Sequence, residues 1–248
     1  MENKRFLKIF SSQNDYDSQK DSVMGMPHVV LLEDTNEVVY ASENNNGTTS
    51  YEMVDLGLPS GIKWANMNVG ATSETDYGLF FQWGDTQGYT QTQVENGEKA
   101  FTWSDYKWCN GSENTMTKYC TNSSYGAVDN KAALDAEDDG VRVHMGSDWR
   151  LPTSTDMIEL TSYTDFEYTE IGGITGGKFI NQTDSSKYIF LPNAAYYNGS
   201  FSLGTDVLSW SSDGSSTNAA HYLCCDSYGS NVKYNKRCYG FPLRGVVG

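Results

Sequence analysis

The stretch Ala219-Ala-His-Tyr-Leu-Cys-Cys-Asp-Ser-Tyr-Gly-Ser-Asn-Val-Lys-Tyr-Asn-Lys-Arg-Cys-Tyr-Gly-Phe-Pro-Leu-Arg244 decides how this chain is interpreted. Its apolar beginning, Ala219–Cys225, and its end, continued as Tyr239–Val247, both predict strands. It belongs to the last 55 residues, of which 26 are Tyr, Ser, Gly or Asn. These four types dominate antibody paratopes, where Tyr gives rigid contact area and the small polar residues adapt. The composition favours a binding face; the alternative is a Gly/Ser/Tyr-rich region of strands and loops without a ligand.

The formal net charge of the 248-residue chain, −15, is unevenly distributed. The last 55 residues carry three acidic and four basic side chains, or +1, so residues 1–193 carry −16. Nucleic-acid binders present basic patches that release counterions from phosphates. The acidity of this chain therefore excludes nucleic acid as its main partner.

The five cysteines are expected to be free thiols in a reducing compartment. Their number is odd, no Cys-x-x-Cys pair is present, and a chain of this length buries about three quarters of its unfolded surface without needing disulfides. A pair between Cys109 and Cys120 remains an alternative. Cys224 and Cys225 are adjacent and point to opposite faces of a strand, which predicts that one is buried and the other exposed.

The sequence predicts neither a membrane span nor an export signal. No run approaches the roughly 18 apolar residues of a membrane helix, and the first ten residues lack the apolar region, at least about seven residues long, of a signal peptide. We therefore expect synthesis in the cytoplasm and no membrane insertion.

Composition divides the chain into an N-terminal attachment segment, residues 1–48, and a main domain, residues 49–248. The first segment is charged and ends in the linker-like Ala41–Ser50. Within it, Pro27–Tyr40 predicts a hairpin with a polar turn at Glu33–Asn36. A lone hairpin is marginally stable in water, so we expect it to pack on the main domain or on another chain.

The main domain has the pattern of an α+β protein with two helices and many short strands. The first predicted helix is Asp129–His144, with a break allowed at Gly140 and a stop at Gly146; the second follows Pro152, with Thr153 as N-cap and Asp156 completing a capping box. Gly172–Gly177 predicts a loop. Strand candidates, besides the two named above, are Ile62–Val69, Leu79–Trp83, Tyr188–Leu191 and Val207–Trp210.

Six phrases occur in a characteristic order. They are Tyr51-Glu-Met-Val-Asp-Leu-Gly-Leu-Pro-Ser-Gly-Ile-Lys-Trp-Ala65, Tyr77-Gly-Leu-Phe-Phe-Gln-Trp-Gly84, Gly146-Ser-Asp-Trp-Arg-Leu-Pro-Thr153, Ile189-Phe-Leu-Pro192, Ser209-Trp-Ser-Ser212 and Arg237-Cys-Tyr-Gly-Phe-Pro-Leu-Arg244. As a set they resemble the major paralogous domain family of gut bacteria. The resemblance implies a C-type-lectin-like α+β fold over about residues 51–248, with the N- and C-terminal strands brought together and a long irregular insertion.

The C-terminal stretch is similar to the variable tract of proteins diversified by diversity-generating retroelements, in which selected codons change on a fixed lectin-like scaffold. The similarity implies scaffold positions at Tyr222, Leu223, Ser227, Val232, Arg237, Gly240, Phe241 and Arg244. It implies ligand-binding display positions at His221, Cys224, Asp226, Tyr228, Ser230, Lys233, Tyr234, Asn235 and Cys238.

Most other conspicuous residues are interpreted as structural. Buried aromatic residues usually belong to the core, which is the role expected for Trp64, Trp83, Trp103, Trp149 and Trp210. Arg150 and Arg244 lie in apolar phrases and are expected to pair with buried carboxylates. Asp138 and Asp139 are interpreted as a solvated helix end.

The sequence contains no recognisable catalytic motif. It lacks G-x-S-x-G, H-E-x-x-H and a phosphate-binding glycine loop, and its three histidines, His28, His144 and His221, are scattered. The lectin-like fold also houses the sulfatase-activating oxidases, which use cysteines. An oxidase that uses Cys224, Cys225 and Cys238 is therefore the third alternative, and it requires an exposed pair of thiols near a groove.

No cofactor is expected. Sugar-binding C-type lectins hold calcium with carboxylates in Glu-Pro-Asn or Gln-Pro-Asp and Trp-Asn-Asp motifs. At the corresponding places this chain has Leu191-Pro-Asn193 and Trp210-Ser-Ser-Asp213, which argues against calcium-dependent sugar binding. A structural calcium ion in the regions Asn114–Ser124 and Asp135–Asp139 remains an alternative.

The expectation that follows is a non-enzymatic protein that binds a cell-surface protein or glycan of a bacterial host. Lys4–Phe10 and Pro27–Tyr40 resemble the head segment of structural proteins from phages of Bacteroides-type hosts. This resemblance favours a receptor-binding protein of a phage or prophage tail, attached to the particle through residues 1–48 or assembled as a homo-oligomer. The alternative in the binding class is a bacterial cell-surface adhesin or carbohydrate-binding protein.

Overall fold

In a computed structural model of the protein, the described residues are 6–10, 28–32, 37–41, 51–194, 196–197, 201–202 and 206–248. The chain divides into two compact units, Met1–Ser50 and Tyr51–Gly248. This division lies two residues from the boundary that the linker composition predicts. The predicted turn at Glu33–Asn36 and the linker residues 42–50 lie outside the described residues.

The first unit contains a three-stranded sheet. Its strands are β1 (Phe6–Phe10), β2 (His28–Leu32) and β3 (Glu37–Ala41), in the order β1-β2-β3. The antiparallel pairing of β2 with β3 confirms the predicted hairpin strands. Strand β1 was not predicted: it runs parallel to β2, and parallel pairing depends on a distant segment instead of a local turn.

The second unit consists of small, mostly antiparallel sheets, which confirms the α+β class with a predominance of β structure. One sheet joins β4 (Met53–Val54), β5 (Lys63–Ala65) and β16 (Val246–Val247); another joins β6 (Phe80–Phe81) and β15 (Phe241–Pro242). The others are β7 (Thr164–Ile171), β8 (Ile174–Asn181) and β9 (Tyr188–Pro192); β10 (Tyr196–Tyr197) and β11 (Phe201–Ser202); and β12 (Val207–Ser216), β13 (Ala219–Asp226) and β14 (Gly229–Lys236). Strands from the start and the end of this unit meet around β5, as expected.

The helices of the second unit are short: α1 (Gln91–Glu95), α2 (Gly140–Met145) and α3 (Ser154–Tyr163). Helix α3 begins as predicted, because the Thr153 hydroxyl accepts a hydrogen bond from the Asp156 N–H at 3.1 Å and the Asp156 carboxylate accepts one from the Thr153 N–H at 2.8 Å. Its residues Met157 and Leu160 are buried. Single 3-10 turns occur at Trp103–Asp105, Ser123–Tyr125 and Ala136–Asp138.

The helix predicted over Asp129–His144 is wrong for most of its length. The Asp129 carboxylate instead accepts hydrogen bonds from the backbone N–H groups of Tyr119 and Cys120, both at 2.8 Å, and holds an irregular segment. Gly140 starts α2 and does not break a helix, since the Asp139 carboxylate caps the N–H of Val141 at 2.9 Å. The predicted stop at Gly146 is confirmed.

The glycine-rich segment predicted as a loop is mostly strand. Gly172 and Gly173 form the turn between β7 and β8, whereas Gly176 and Gly177 lie within β8. A Cβ atom at Gly176 would lie 2.3 Å from the Leu191 carbonyl oxygen and 2.5 Å from the Phe190 ring. Glycine is therefore required here by a close approach of two strands and not by a turn.

Strand β13 lies between two apolar clusters, and its alternate side chains pack into one or the other. Ala220, Tyr222 and Cys224 face a cluster that contains Trp83 and Trp210. Leu223 and Cys225 face the other, which contains Trp64 and the buried side of α3. Trp103, by contrast with the other four predicted core tryptophans, is only partly buried.

The buried Arg244 links β5 and β9 through their carbonyl groups. The Arg244 guanidinium donates to the Asn68 side-chain oxygen and to the carbonyl oxygens of Ala65 and Phe190 at 2.8–2.9 Å, so the carboxylate partner expected for it is wrong. Burial lowers the pKa of Arg244 to about 9. Arg150 does pair with a carboxylate, that of Asp156 at 2.6 Å.

Candidate ligand-binding face

The β13–β14 hairpin presents its turn to solvent. Ser227 and Tyr228 connect Asp226 to Gly229, and the Asp226 carboxylate accepts a hydrogen bond from the Tyr228 N–H at 2.7 Å. Gly229 has φ of +142°, a conformation that favours glycine. The Tyr228 side chain is 98% exposed on this fixed backbone. An exposed, anchored tyrosine is the kind of group that contributes contact area to a recognition surface at low entropic cost.

The base of the hairpin is fastened by a buried guanidinium. Arg237 donates hydrogen bonds to the carbonyl oxygens of Ala219 at 3.1 Å, Tyr119 at 2.7 Å and Ser216 at 2.6 Å. Its guanidinium also lies over the Trp83 ring, 4.2 Å from the ring centroid. The strand ends are thereby held from the core while the turn remains outside.

The pairing register divides the hairpin side chains between two faces. We define the lysine face by Asn231, Lys233 and Asn235 of β14, which lie opposite Cys224, Tyr222 and Ala220. We define the tyrosine face by Ser230, Val232 and Tyr234, which lie opposite Cys225, Leu223 and His221. Because neighbouring residues of a strand point to opposite sides, the nine predicted display positions do not form one continuous surface.

The lysine face contains a pocket of about 80 Å³ next to the turn. Its lining residues are Cys224, Asp226, Tyr228, Gly229, Asn231 and Lys233. The Lys233 ammonium donates to the Cys224 sulfur at 3.3 Å, and that thiol lies 3.9 Å from a carboxylate oxygen of Asp206. The pocket thus offers an ammonium, a carboxylate, an amide and an aromatic ring around a thiol floor. These are groups for binding a polar ligand.

The thiol in this pocket is held in its neutral form. Burial raises the pKa of the Cys224 thiol, and the nearby Lys233 ammonium only partly opposes this effect. The thiolate is the reactive form of cysteine, so the geometry does not provide an activated nucleophile at neutral pH.

The tyrosine face is partly fixed by the start of α3. His221 Nδ1 lies 3.0 Å from a carboxylate oxygen of Asp213, and this carboxylate also accepts hydrogen bonds from the N–H and hydroxyl of Ser154, both at 2.6 Å. His221 is therefore held in a structural cluster. Tyr234, opposite it on β14, is 69% exposed and free to contact a partner.

Two of the predicted display positions require correction because their side chains are in the core. Cys224 is 2% and Cys238 is 1% exposed; Cys238 packs with Tyr106, Met116 and Cys120, and burial raises its pKa to about 12. The other seven are at least partly exposed: His221, Asp226, Tyr228, Ser230, Lys233, Tyr234 and Asn235.

Exposed positions of the same hairpin were missing from the prediction. Asn231 and Lys236 are exposed, and Asn231 lines the pocket. Ser227, assigned to the scaffold, is exposed in the turn. The signal that would have found Asn231 is strand periodicity, since it stands two residues before Lys233 and so shares its face. Val232 is consistent with a scaffold role, because it packs against the cluster around α3.

The two cysteine expectations have different outcomes. All five cysteines are free thiols, and Cys109 and Cys120 are not joined. Cys224 and Cys225 are both buried, however, so the prediction that one of them is exposed is wrong. The sheet separates two apolar clusters here, and each thiol packs into one of them.

The acidic region considered for a calcium ion is occupied by lysines. The Lys118 ammonium lies 2.6 Å from carboxylate oxygens of both Asp135 and Asp138, between the rings of Trp108 and Tyr119. Burial opposes the charge on Lys118, but the hydrogen bonds to the two carboxylates outweigh burial and raise its pKa. Within the described residues, no group of three or more His, Cys, Asp or Glu side chains is arranged to hold a metal ion.

The remaining carboxylates of these regions have structural partners. Asp138 and Asp139 are buried, which corrects the expectation of a solvated helix end. Asp139 caps α2 and accepts from the Leu151 N–H at 2.8 Å. Asp213, in the stretch compared with Trp-Asn-Asp, is engaged by Ser154 and His221.

A larger open groove of about 650 Å³ lies away from the hairpin. Its lining residues are Glu52, Met53, Val54, Asp55, Asn66, Ser73, Glu74, Ser186, Lys187 and Tyr188. The groove has three acidic side chains and one lysine, and it shares no residue with either face of the hairpin.

No protein-family model matches the chain, and neither the curated proteins nor the solved structures give a match. None of the helices in the described part of the chain is both long and apolar enough to cross a membrane.

Proposed function

We propose that residues 51–248 are a non-enzymatic recognition domain that binds a cell-surface ligand of a bacterial host through the β13–β14 hairpin. The observation that carries the proposal is the contrast within this hairpin between an almost fully exposed Tyr228 at the turn and a fully buried Arg237 at the base. Exposed tyrosines on a rigid support are typical of recognition surfaces. The pocket beside Tyr228 adds polar groups that orient a ligand.

The proposal includes a C-type-lectin-like fold and a hairpin diversified by a retroelement. Small antiparallel sheets, short helices of five, six and ten residues and terminal strands that meet around β5 are consistent with such a fold. Residues 1–48 would attach the domain to a phage or prophage tail, so that the protein functions on the virion. A bacterial surface adhesin is the alternative that uses the same hairpin.

An oxidase of the sulfatase-activating type receives less support. Such an enzyme requires an exposed, reactive pair of thiols. Cys224 and Cys225 are instead buried, and burial raises the pKa of both thiols.

The proposal is tested by replacing the two exposed tyrosines. We expect Tyr228→Ala combined with Tyr234→Ala to abolish binding to host cells, because each removes a large exposed contact, and to leave the melting temperature nearly unchanged. Tyr163→Ala is the matched control, since Tyr163 is 51% exposed at the end of α3, outside the hairpin. Binding is measured as retention of the labelled full-length chain on cells of candidate hosts.

Two results would contradict the proposal. If the double variant binds as the unmodified chain does, the hairpin is not the binding face. If the double variant unfolds at a much lower temperature, the tyrosines are structural.

A further inference from the structure

The two edge strands of the β12-β13-β14 sheet, β12 and β14, differ in how their backbone groups are covered. Strand β12 is covered where the chain returns to it: the Leu134 N–H donates to the Ser212 carbonyl at 2.9 Å, the Ser212 N–H to Pro152 at 2.8 Å, and the Gly214 N–H to Ala132 at 2.6 Å. Among the described strands, β14 pairs only with β13. None of its eight residues is buried.

The register fixes which backbone groups of β14 point outward. The Arg237 N–H donates to the Asn218 carbonyl at 3.1 Å, just beyond the end of β14, and a two-residue turn closes the other end between Asp226 and Gly229. Hydrogen-bonded and non-hydrogen-bonded pairs alternate along an antiparallel ladder. Both ends give the same result: residues 229, 231, 233 and 235 bond to β13, whereas residues 230, 232, 234 and 236 direct their N–H and C=O groups away from it.

In the described part of the chain, the outward backbone groups of three residues of this edge have no hydrogen-bond partner. The Lys236 N–H is bonded to the Asn235 side-chain oxygen at 2.9 Å, which closes that end. No hydrogen bond joins the outward N–H and C=O groups of Ser230, Val232 or Tyr234 to another described residue. Open strand edges are normally covered or blocked, because they pair readily with other chains.

We propose that β14 binds an extended segment of a partner polypeptide by strand addition. This inference rests on the proposed function and names the chemical class of its ligand. Alternate residues of an extended chain repeat at about 6.6–6.8 Å, which matches the spacing of Ser230, Val232 and Tyr234 on the edge. A glycan has no such repeat of donors and acceptors.

The side chains beside the edge complement an added strand. Tyr234 projects on the tyrosine face and Lys233 on the lysine face, and both are exposed. They can contact alternate side chains of the incoming segment, as cross-strand neighbours do.

The test uses a library of displayed linear heptapeptides as the probe, selected on the immobilised full-length chain. Ser230→Pro removes one outward N–H without removing a bond to β13, and Ser230→Ala keeps that N–H and is the matched control. Ser230→Ala measures the contribution of the Ser230 side chain alone. We expect Ser230→Pro to bind selected peptides about tenfold more weakly than Ser230→Ala does, because it also lacks one backbone hydrogen bond to the peptide.

A second measurement leaves the protein unchanged. Methylation of successive backbone nitrogens of a selected peptide should weaken binding at every second position only, since only alternate N–H groups of a paired strand face β14. A methylation profile without this period of two, equal binding to Ser230→Pro, or a failure to select peptides would overturn the proposal. Self-association that Ser230→Pro abolishes would assign the edge to a second copy and would also overturn it.

The outcome is distinguishable from failure of the proposed function. If host-cell binding is lost in the tyrosine double variant but retained in Ser230→Pro, the hairpin is the binding face and strand addition is wrong. If neither change affects host-cell binding, both proposals fail.

Discussion

The strongest structural prediction concerns Arg237, which fastens the base of the exposed hairpin. Replacing it with Met preserves most of the side-chain volume over the Trp83 ring but leaves the carbonyl oxygens of Tyr119, Ser216 and Ala219 without their donor. A buried acceptor that loses its partner costs about 1–3 kcal/mol. These three losses are partly offset, because the substitution also removes the free-energy cost of burying a charged guanidinium in the core.

We expect the lost hydrogen bonds to outweigh the removed desolvation penalty, so that Arg237→Met is strongly destabilising. The three carbonyl oxygens are neutral, so the cost is that of unpaired buried acceptors, about 1–3 kcal/mol each; removal of the desolvation penalty of the guanidinium offsets part of this cost and leaves about 3–5 kcal/mol. We expect Arg237→Met to lower the free energy of unfolding by this amount, out of a total of about 5–15 kcal/mol for a domain. Arg237→Lys should also be destabilising, because a single ammonium cannot replace the planar fork that reaches three carbonyls.

Urea unfolding followed by tryptophan fluorescence measures the effect. Lys236→Met is the matched control: it removes a neighbouring cation whose side chain is exposed, and should change the free energy of unfolding by less than about 0.5 kcal/mol. If the free energy of unfolding of Arg237→Met is within about 1 kcal/mol of that of the unmodified chain, the carbonyls have other partners and the guanidinium does not fasten the hairpin. Full rescue by Lys would show that charge, and not geometry, is what the site requires.

Three further predictions address pH, thiols and natural variation. Burial raises the pKa of Asp156, but the hydrogen bonds from Arg150 and Thr153 lower it more, so the pKa lies below its usual value. The ionised carboxylate therefore stabilises the fold above the unfolded pKa, near 3.9, and this stabilisation is lost as the pH falls through the folded pKa. Asp156→Asn should therefore be less stable than the unmodified chain at pH 7, and urea unfolding at pH 2 should show the difference disappearing; a constant difference would contradict this reasoning. With a chromogenic disulfide reagent at pH 8, the partly exposed Cys109 should react first, and the four buried thiols should react only on unfolding. The fast phase should vanish in Cys109→Ser, and a second fast-reacting thiol would contradict the burial pattern. Sequences of this locus from several isolates should differ at Tyr228, Asn231 and Lys233 but not at Arg237; variation at Arg237, or an invariant hairpin, would argue against diversification.

The features that could be predicted from the sequence are those with local causes. The capping box at Thr153 needs only residues three apart, and the paired strands β2 and β3 need only a turn between two apolar runs. The helix expected from Ala132 and Leu134 failed because helix propensity is a weak preference. The Asp129 carboxylate bonds to backbone groups about ten residues away, which no local pattern reveals.

The predictions for Gly176 and Arg244 were wrong for the same reason. Gly176 was interpreted as part of a loop, whereas its role is to let β9 approach, a contact between residues about 15 apart. Arg244 was expected to meet a carboxylate, whereas its partners are an amide oxygen and two carbonyls contributed by segments more than 50 residues away. Both residues act through neighbours that only the folded chain brings together.

All but one of the predicted display positions lie in the β13–β14 hairpin, but their division between its two faces was not predicted. Assigning positions one by one placed Cys224 at the surface, although it points toward Trp210 and its cluster. Once the turn at Ser227 and Tyr228 is known, the alternation of β14 separates the two faces and adds Asn231. The missing information was the register of one hairpin, since a shift of one residue exchanges the faces.

The hairpin separates the groups that hold the fold from the groups that can meet a ligand. Its ladder consists of backbone hydrogen bonds between β13 and β14, and these do not depend on which side chains occupy the exposed positions. Tyr228 and Lys233 make few contacts with the core, so exchanging them changes the surface at little cost in folding free energy. Arg237 and Cys238, a few residues further along, are buried, and replacing them disturbs packing. Tolerance to substitution should therefore end sharply where β14 enters the core, at the step from Lys236 to Arg237.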